Sequence, residues 1–312
     1  MPEFKDFFYP SSTGKNTIRA RMCIPDCAPK AVIQIAHGIA EHIERYDAFM
    51  SFLAENGYLA VGNDHLGHGK SAVKPEEIGI FSEKDGWNHV VKDMDILRSR
   101  MRESYPDIPY VFFGHSMGSF LTRTYLIRYP ERYDAAILSG TGHQSAVVIN
   151  SGYRVAQLIT KRKGPDGDGK VLNNIAFGNY CKKIPHPRTS FDWLSRDTEA
   201  VDRYIADPKC GFVCKVSLYR DMMSGLRFVT NQRNIMRMNR DKPVWFMSGS
   251  ADPVGEYGQG VKRAYQAFRK AGLKDVSIRL YSEGRHEMLN ELNRDEVMRD
   301  ILDWLNSRLQ SL

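Results

Sequence analysis

Apolar runs recur along the chain. Those at residues 31–36, 58–63, 110–114, 135–139, 243–248 and 276–281 are short and rich in Val, Ile, Phe and Tyr. Such runs predict strands, and their weak alternation of polar and apolar positions suits strands buried on both faces. Helical spacing fills most of the gaps. Phe49, Phe52 and Leu53 mark one helix, and Val90, Val91, Met94, Ile96, Leu97 and Met101 a second. A third is expected over 117–129, and a fourth at Val297, Ile301, Leu302, Trp304 and Leu305. Strands alternating with helices predict an α/β fold: a mostly parallel central sheet with helices on both faces. Residues 3–24 read as two strands around a turn at Ser11 to Gly14, an antiparallel hairpin at one edge. The rhythm stops near residue 142 and resumes near 239. The expected organisation is therefore a core of residues 1–141 and 239–312 and an inserted, mostly helical cap of residues 142–238. The cap opens with an apolar-faced helix over 149–159, followed by Lys161, Arg162 and Lys163. Residues 164–169 contain Asp166 and Asp168 but lack the other ligands of a calcium loop, and read as a mobile turn.

Composition narrows the setting. The 312 residues suffice for one large domain or two small ones. The N-terminus carries no basic segment followed by an apolar run, and no stretch nears the ~18 apolar residues of a membrane span. The five cysteines show no framework spacing, and Cys23/Cys27 and Cys210/Cys214 have no neighbouring histidine at metal-ligand spacing. Reduced thiols in a cytoplasmic protein are expected. The formal charge is +7, and residues 150–240 hold 17 Lys/Arg against 8 Asp/Glu. No groove-binding motif accompanies that charge, so nucleic acid is not an expected partner. Two readings stand for the basic segment: a solvated surface, or peripheral contact with an anionic membrane.

The chemistry concentrates at residues 114–118 (GHSMG), between the 110–114 strand and the 117–129 helix. Strand, sharp turn with a central serine, then helix gives the G-x-S-x-G pattern a mechanical meaning. Glycines two residues either side relieve the crowding, and the Ser116 hydroxyl stands at a helix N-terminus that favours developing negative charge. A serine nucleophile needs a base, and the base an orienting carboxylate, here in the order Ser, acid, His. His143, His186 and His286 follow Ser116. His143 leaves no room for an acid before it, and His186 lies between two prolines. His286 lies in the loop after the 276–281 strand, where catalytic groups gather in open α/β sheets. The acid is Asp252, in the loop after the 243–248 strand; Asp241 and Asp275 precede their strands. The oxyanion is assigned to the N–H groups of Met117 and of Ile39, in the loop 37–42 after the 31–36 strand. His37 reads as a loop brace. Asp64, His65 and His68 invite a metal reading, but Gly67 and Gly69 favour a tight structural loop. No metal and no cofactor is expected.

Residues 37–42 (HGIAEH), 63–71 (NDHLGHGKS), 114–118 (GHSMG), 249–252 (GSAD) and His286, with 193–197 and 207–210 in the cap, carry a resemblance. Over residues 5–310 the chain resembles the monoglyceride lipase and lysophospholipase-like group of α/β-hydrolases, also grouped with the serine aminopeptidases. The resemblance implies the α/β-hydrolase fold, the triad Ser116, Asp252 and His286, and Ile39 and Met117 as oxyanion hole. It implies a lipid ester substrate with one long acyl chain on a glycerol-type leaving group: a monoacylglycerol, with lysophospholipase or general carboxylesterase as alternatives. Tyr153, Phe177, Phe191, Trp193 and Phe212 are candidates to line an acyl tunnel. Animal monoglyceride lipases carry a cysteine near the acid, where this chain has Pro253, Val254 and Gly255. A rival reading is a lipid-binding scaffold without turnover; the intact triad and oxyanion loop argue against it.

Overall fold

The computed structural model describes residues 2–309; residue 1 and residues 310–312, the ends of the expected core, lie outside the described residues. The chain runs β1 (Glu3–Pro10), β2 (Thr17–Ile24), β3 (Val32–Ala36), α1 (Asp47–Glu55), β4 (Leu59–Asn63), α2 (Gly86–Ser104), β5 (Tyr110–His115), α3 (Met117–Arg128) and β6 (Ala135–Ser139). Then come α4 (Ala146–Lys163), α5 (Lys170–Phe177), α6 (Thr198–Ala206), α7 (Val216–Thr230) and α8 (Gln232–Ile235). β7 (Val244–Gly249), α9 (Gln259–Lys270), β8 (Val276–Tyr281) and α10 (Arg294–Leu309) complete it. The eight strands form one sheet in the order β1-β2-β4-β3-β5-β6-β7-β8. β1 pairs antiparallel with β2, and β2 with β4; every later pairing is parallel. The fold is that of the α/β-hydrolases, with the hairpin at one edge as expected.

Strands β3 to β7 are buried at every position. Alternate residues feed two separate cores. Val32, Phe112, Leu138 and Phe246 point to the face covered by α2, α3 and α9, where Val90, Leu121 and Phe268 meet them. Ile33, Phe113, Ile137 and Met247 point to the face covered by α1 and α10, against Phe49, Val297 and Ile301. Each such aromatic or aliphatic side chain contributes about 1.5–3 kcal/mol of burial free energy. This two-sided burial explains the unbroken apolar runs. Helix α9 escapes the sequence pattern because only Gly260, Val261, Ala264 and Phe268 of its twelve residues are buried, among several cations.

Five helices lie between β6 and β7. The turn at 164–169 is pinned rather than mobile: Val216 N–H donates to Gly167 O, Ser217 N–H to Pro165 O, and Asp168 pairs with Lys215 in an isolated bridge. The sequence showed its glycines but not the start of α7 that receives it. No helix among the described residues is long and apolar enough to cross a membrane. All five cysteines are unpaired.

Candidate active site

Ser116 sits where β5 turns into α3, with φ 54° and ψ −122°. That conformation costs a side-chain-bearing residue about 1–3 kcal/mol, and the turn survives because its neighbours leave no alternative. A β-carbon on Gly114 would meet Thr122 Oγ1 at 2.5 Å and Gly118 O at 2.6 Å; one on Gly118 would run into the carbonyls of Ala36 and His37. The Ser116 N–H donates to Ser139 O at 2.9 Å. The residue is 9% exposed and lines a cavity of about 230 Å³. Among the described residues its hydroxyl has no hydrogen-bond partner.

His286 lines the same cavity. Its Nδ1–H donates to Asp252 Oδ2 at 3.0 Å, which leaves Nε2 as the acceptor. Asp252 is fully buried and also accepts from Ser248 Oγ at 3.0 Å and from Val254 N–H at 2.9 Å. Burial alone would raise its carboxyl; the His286 imidazole and the two other donors outweigh burial and hold it below the ordinary value. Burial alone would lower His286; the Asp252 carboxylate, helped by Glu287 and Glu41, raises it instead. The His286 ring is flanked by His115 at 4.7 Å and Trp193 at 5.0 Å between centroids.

Gly38 and Ile39 come from the loop after β3 and line the cavity beside Ser116. A β-carbon on Gly38 would lie 2.7 Å from Glu41 Oε1 and 3.2 Å from Ser116 Cβ, so any larger residue would push on both. Met117 is the first residue of α3, and a first-turn N–H has no intrahelical acceptor. Phe177, Phe191, Trp193 and Phe212 all line the cavity. Tyr153 does not: it packs under the Arg227 guanidinium, 4.5 Å from its ring centroid, and borders a separate cleft with Trp87 and Asp221. Tyr153 was nominated as a cap aromatic; the helical pattern put it on α4 but gave no indication of that helix's rotation.

The other candidates have structural occupations. His143 abuts two arginines: Arg263 Nε donates to its carbonyl at 2.8 Å and Arg123 Nη2 lies 3.4 Å from its Nδ1. His186 is exposed. Asp64 accepts from the Ile43 and Lys70 N–H groups at 2.9 and 2.8 Å, bracing the loop rather than facing a metal. A histidine, an aspartate and a cysteine do converge elsewhere. His42, Asp207 and Cys210 have ligand atoms within 4.8 Å of one another, but His42 Nε2 and Asp207 Oδ2 already bond directly at 2.7 Å.

Sequence reasoning missed a buried ion-pair chain behind the site. Arg45 grips Glu287, the neighbour of His286, through two hydrogen bonds of 2.7 Å, and also pairs with Glu41. Glu41 accepts from Gly38 N–H and, at 2.9 Å, from Tyr46 Oη. The motif HGIAEH contained Glu41, and Arg45 follows four residues on, but Glu287 in the His286 loop lies 242 residues from Arg45.

Comparison with known proteins gives a consistent picture. The family described as "Serine aminopeptidase, S33" matches residues 27–293. A monoacylglycerol lipase of Mycolicibacterium smegmatis is 29% identical over 288 residues, 91% of each chain. A monoglyceride lipase of Rattus norvegicus is 25% identical over 91% of this chain and 85% of its own. Among solved structures, a thermostable carboxyl esterase from Bacillus coagulans in complex with glycerol superposes with a TM-score of 0.91. It is 29% identical over 98% of this chain and 99% of its own.

Proposed function

The chain belongs to the serine aminopeptidase S33 family of α/β-hydrolases, and on that premise we propose that it is a serine hydrolase of carboxylic esters whose substrate is a monoacylglycerol. Ser116 Oγ attacks the ester carbonyl while His286 Nε2 takes its proton. Asp252 holds the imidazole tautomer and offsets the charge it gains. The N–H groups of Ile39 and Met117 bind the oxyanion, His286 protonates the leaving alcohol, and water then releases the acyl group by the same steps. The observation that carries this reading is the shared cavity: a strained serine and a carboxylate-held histidine open onto one aromatic-walled space. Residues 142–238 act as its cap, supplying Phe177, Phe191, Trp193 and Phe212.

The lining also favours a neutral leaving group. Among the described residues none that lines the cavity is Lys or Arg, whereas Glu41 and Glu287 are present. A lysophospholipid phosphate would find no cation in the lining, and the nearby Arg45 is already bound to Glu41 and Glu287, which disfavours the lysophospholipase alternative. The basic character of 150–240 instead lies outside, where α4 and α5 expose Val147, Val148, Leu158 and Ile175 beside Lys161, Arg162 and Lys163. That surface suits peripheral contact with a membrane that supplies the lipid.

Fatty-acid release from monooleoylglycerol and from oleoyl lysophosphatidylcholine, measured side by side, tests the proposal. The monoacylglycerol is expected to turn over faster, and Ser116→Ala to lower turnover roughly a thousandfold or more. Wild-type rates in Ser116→Ala would overturn the nucleophile. Faster release from the lysophospholipid would overturn the substrate.

A further inference from the structure

The peptide joining Gly38 to Ile39 carries one of the two N–H groups assigned to the oxyanion. In a trans peptide the carbonyl and the N–H point in opposite directions. Whatever fixes Gly38 O therefore fixes the aim of the Ile39 N–H. Gly38 O lies 2.7 Å from His37 Nδ1. The tautomer of His37 follows from its other nitrogen, because the backbone N–H of His65 donates to His37 Nε2 at 2.9 Å. Nε2 is thus an acceptor, and in the neutral ring the proton sits on Nδ1, where it donates to Gly38 O. Burial keeps the ring neutral, pushing its pKa down to about 4. The ring is wrapped by others, 4.1 Å from His65 and 5.4 Å from His68 between centroids. On the other side of Gly38, its own N–H donates to Glu41. Both peptide groups that flank the glycine are therefore clamped, one at its N–H and the other at its carbonyl.

We infer that His37 is a positioning residue for catalysis: by holding the Gly38 carbonyl from behind, it aims the Ile39 N–H at the oxyanion that forms on the Ser116 adduct. This inference rests on the serine-hydrolase reading. The competing role is plain bracing of the loop at His65, and two substitutions separate the roles. In His37→Asn the side-chain amide N–H replaces the donor to Gly38 O but gives up the acceptor for His65 N–H. In His37→Gln the longer side chain offers its carbonyl to His65 N–H and gives up the donor to Gly38 O.

The measurements are kcat and KM on monooleoylglycerol, inhibition by a trifluoromethyl ketone that forms a tetrahedral adduct, and Tm by circular dichroism. His37→Gln is expected to lower kcat roughly ten- to hundredfold, less than outright loss of a donor at the upper end, with KM within about twofold. Its affinity for the ketone should fall in parallel with kcat. His37→Asn should recover most of that kcat and ketone affinity while showing the lower Tm. Equal impairment of the two variants, or a His37→Gln defect confined to KM, would overturn the inference. If His37→Gln does not fold, His37→Asn decides alone: retained kcat with a lowered Tm supports it, and lost kcat overturns it. A wild type that hydrolyses no ester overturns the underlying reading as well. A wild type that does, with kcat following the brace, overturns this inference only.

Discussion

His37, His65, His68 and His115 are all buried, and burial drives each below the ordinary imidazole value. His286 is equally buried and moves the other way because Asp252 faces its Nδ1. The consequence is a pH profile with a defined sign. In the proposed mechanism His286 must be neutral to accept the serine proton, so kcat/KM is expected to rise as pH passes through its elevated pKa. The midpoint of the acidic limb is expected above 6.5, the ordinary value. Asp252→Asn removes the raising partner and leaves burial, so the limb should move to lower pH while the plateau falls roughly a thousandfold or more. A pH series of kcat/KM for both proteins checks this; a limb that does not move would mean that another group controls it. At this scale much of the arrangement was legible: Ser116 and His286, chosen from their order and their places after strand ends, line one cavity, and Asp252 bonds the His286 ring. The chain Glu41, Arg45 and Glu287 was not: Glu41 and Arg45 stand four apart, but the pairing of Arg45 with Glu287 is made by the fold and leaves no local spacing.

Between elements, the telling contact joins the inserted segment to the loop of His286. Glu291 is fully buried and accepts from Arg196 N–H and Nε at 3.1 and 2.9 Å and from Arg285 N–H at 2.8 Å. Arg285 Nη1 reaches back to the carbonyls of Asp192 and Ser195 at 2.6 and 2.9 Å. The N–H groups of His286 and Glu287 donate to Trp193 O and Leu194 O at 3.3 and 2.7 Å. The base and one aromatic wall of the cavity are therefore fastened to the same short stretch. Removing the buried carboxylate leaves three backbone amides and a partly exposed guanidinium without it, so Glu291→Ala is expected to cost about 2–3 kcal/mol. Hydrogen exchange should rise together in 191–196 and 283–291; a rise in only one of them would refute the coupling. The core strands were legible because parallel strands buried on both faces print continuous apolar runs. The helices after α4 were mostly not, since they cover the cavity with short, mixed faces whose partners are distant in the chain.

Over the whole molecule, exposed apolar and basic residues share α4: Val147 is 76% exposed and Leu158 51%, and Arg154, Lys161, Arg162 and Lys163 of the same helix are exposed. The proposed membrane contact predicts co-sedimentation with vesicles containing phosphatidylserine, weakening as salt screens the lysines and arginines. The double substitution Val148→Glu and Leu158→Glu should reduce that binding several-fold and leave hydrolysis of a dispersed short-chain ester intact. Binding unaffected by the two glutamates would place the contact elsewhere.

The strand order also carries a consequence for how the protein is made. β6 ends at Ser139, and its sheet neighbour β7 begins only at Val244. A ribosome adding about 5–20 residues per second takes roughly 5–20 s to bridge that gap. Throughout it the nascent chain holds a strand that is apolar but for Ser139, with one open edge, a template for pairing with other chains. The same interval leaves Ser116 without Asp252 and His286, its proposed partners. The unfinished polypeptide is therefore sticky but chemically idle, and its yield in the cell depends on what shields that edge until β7 arrives.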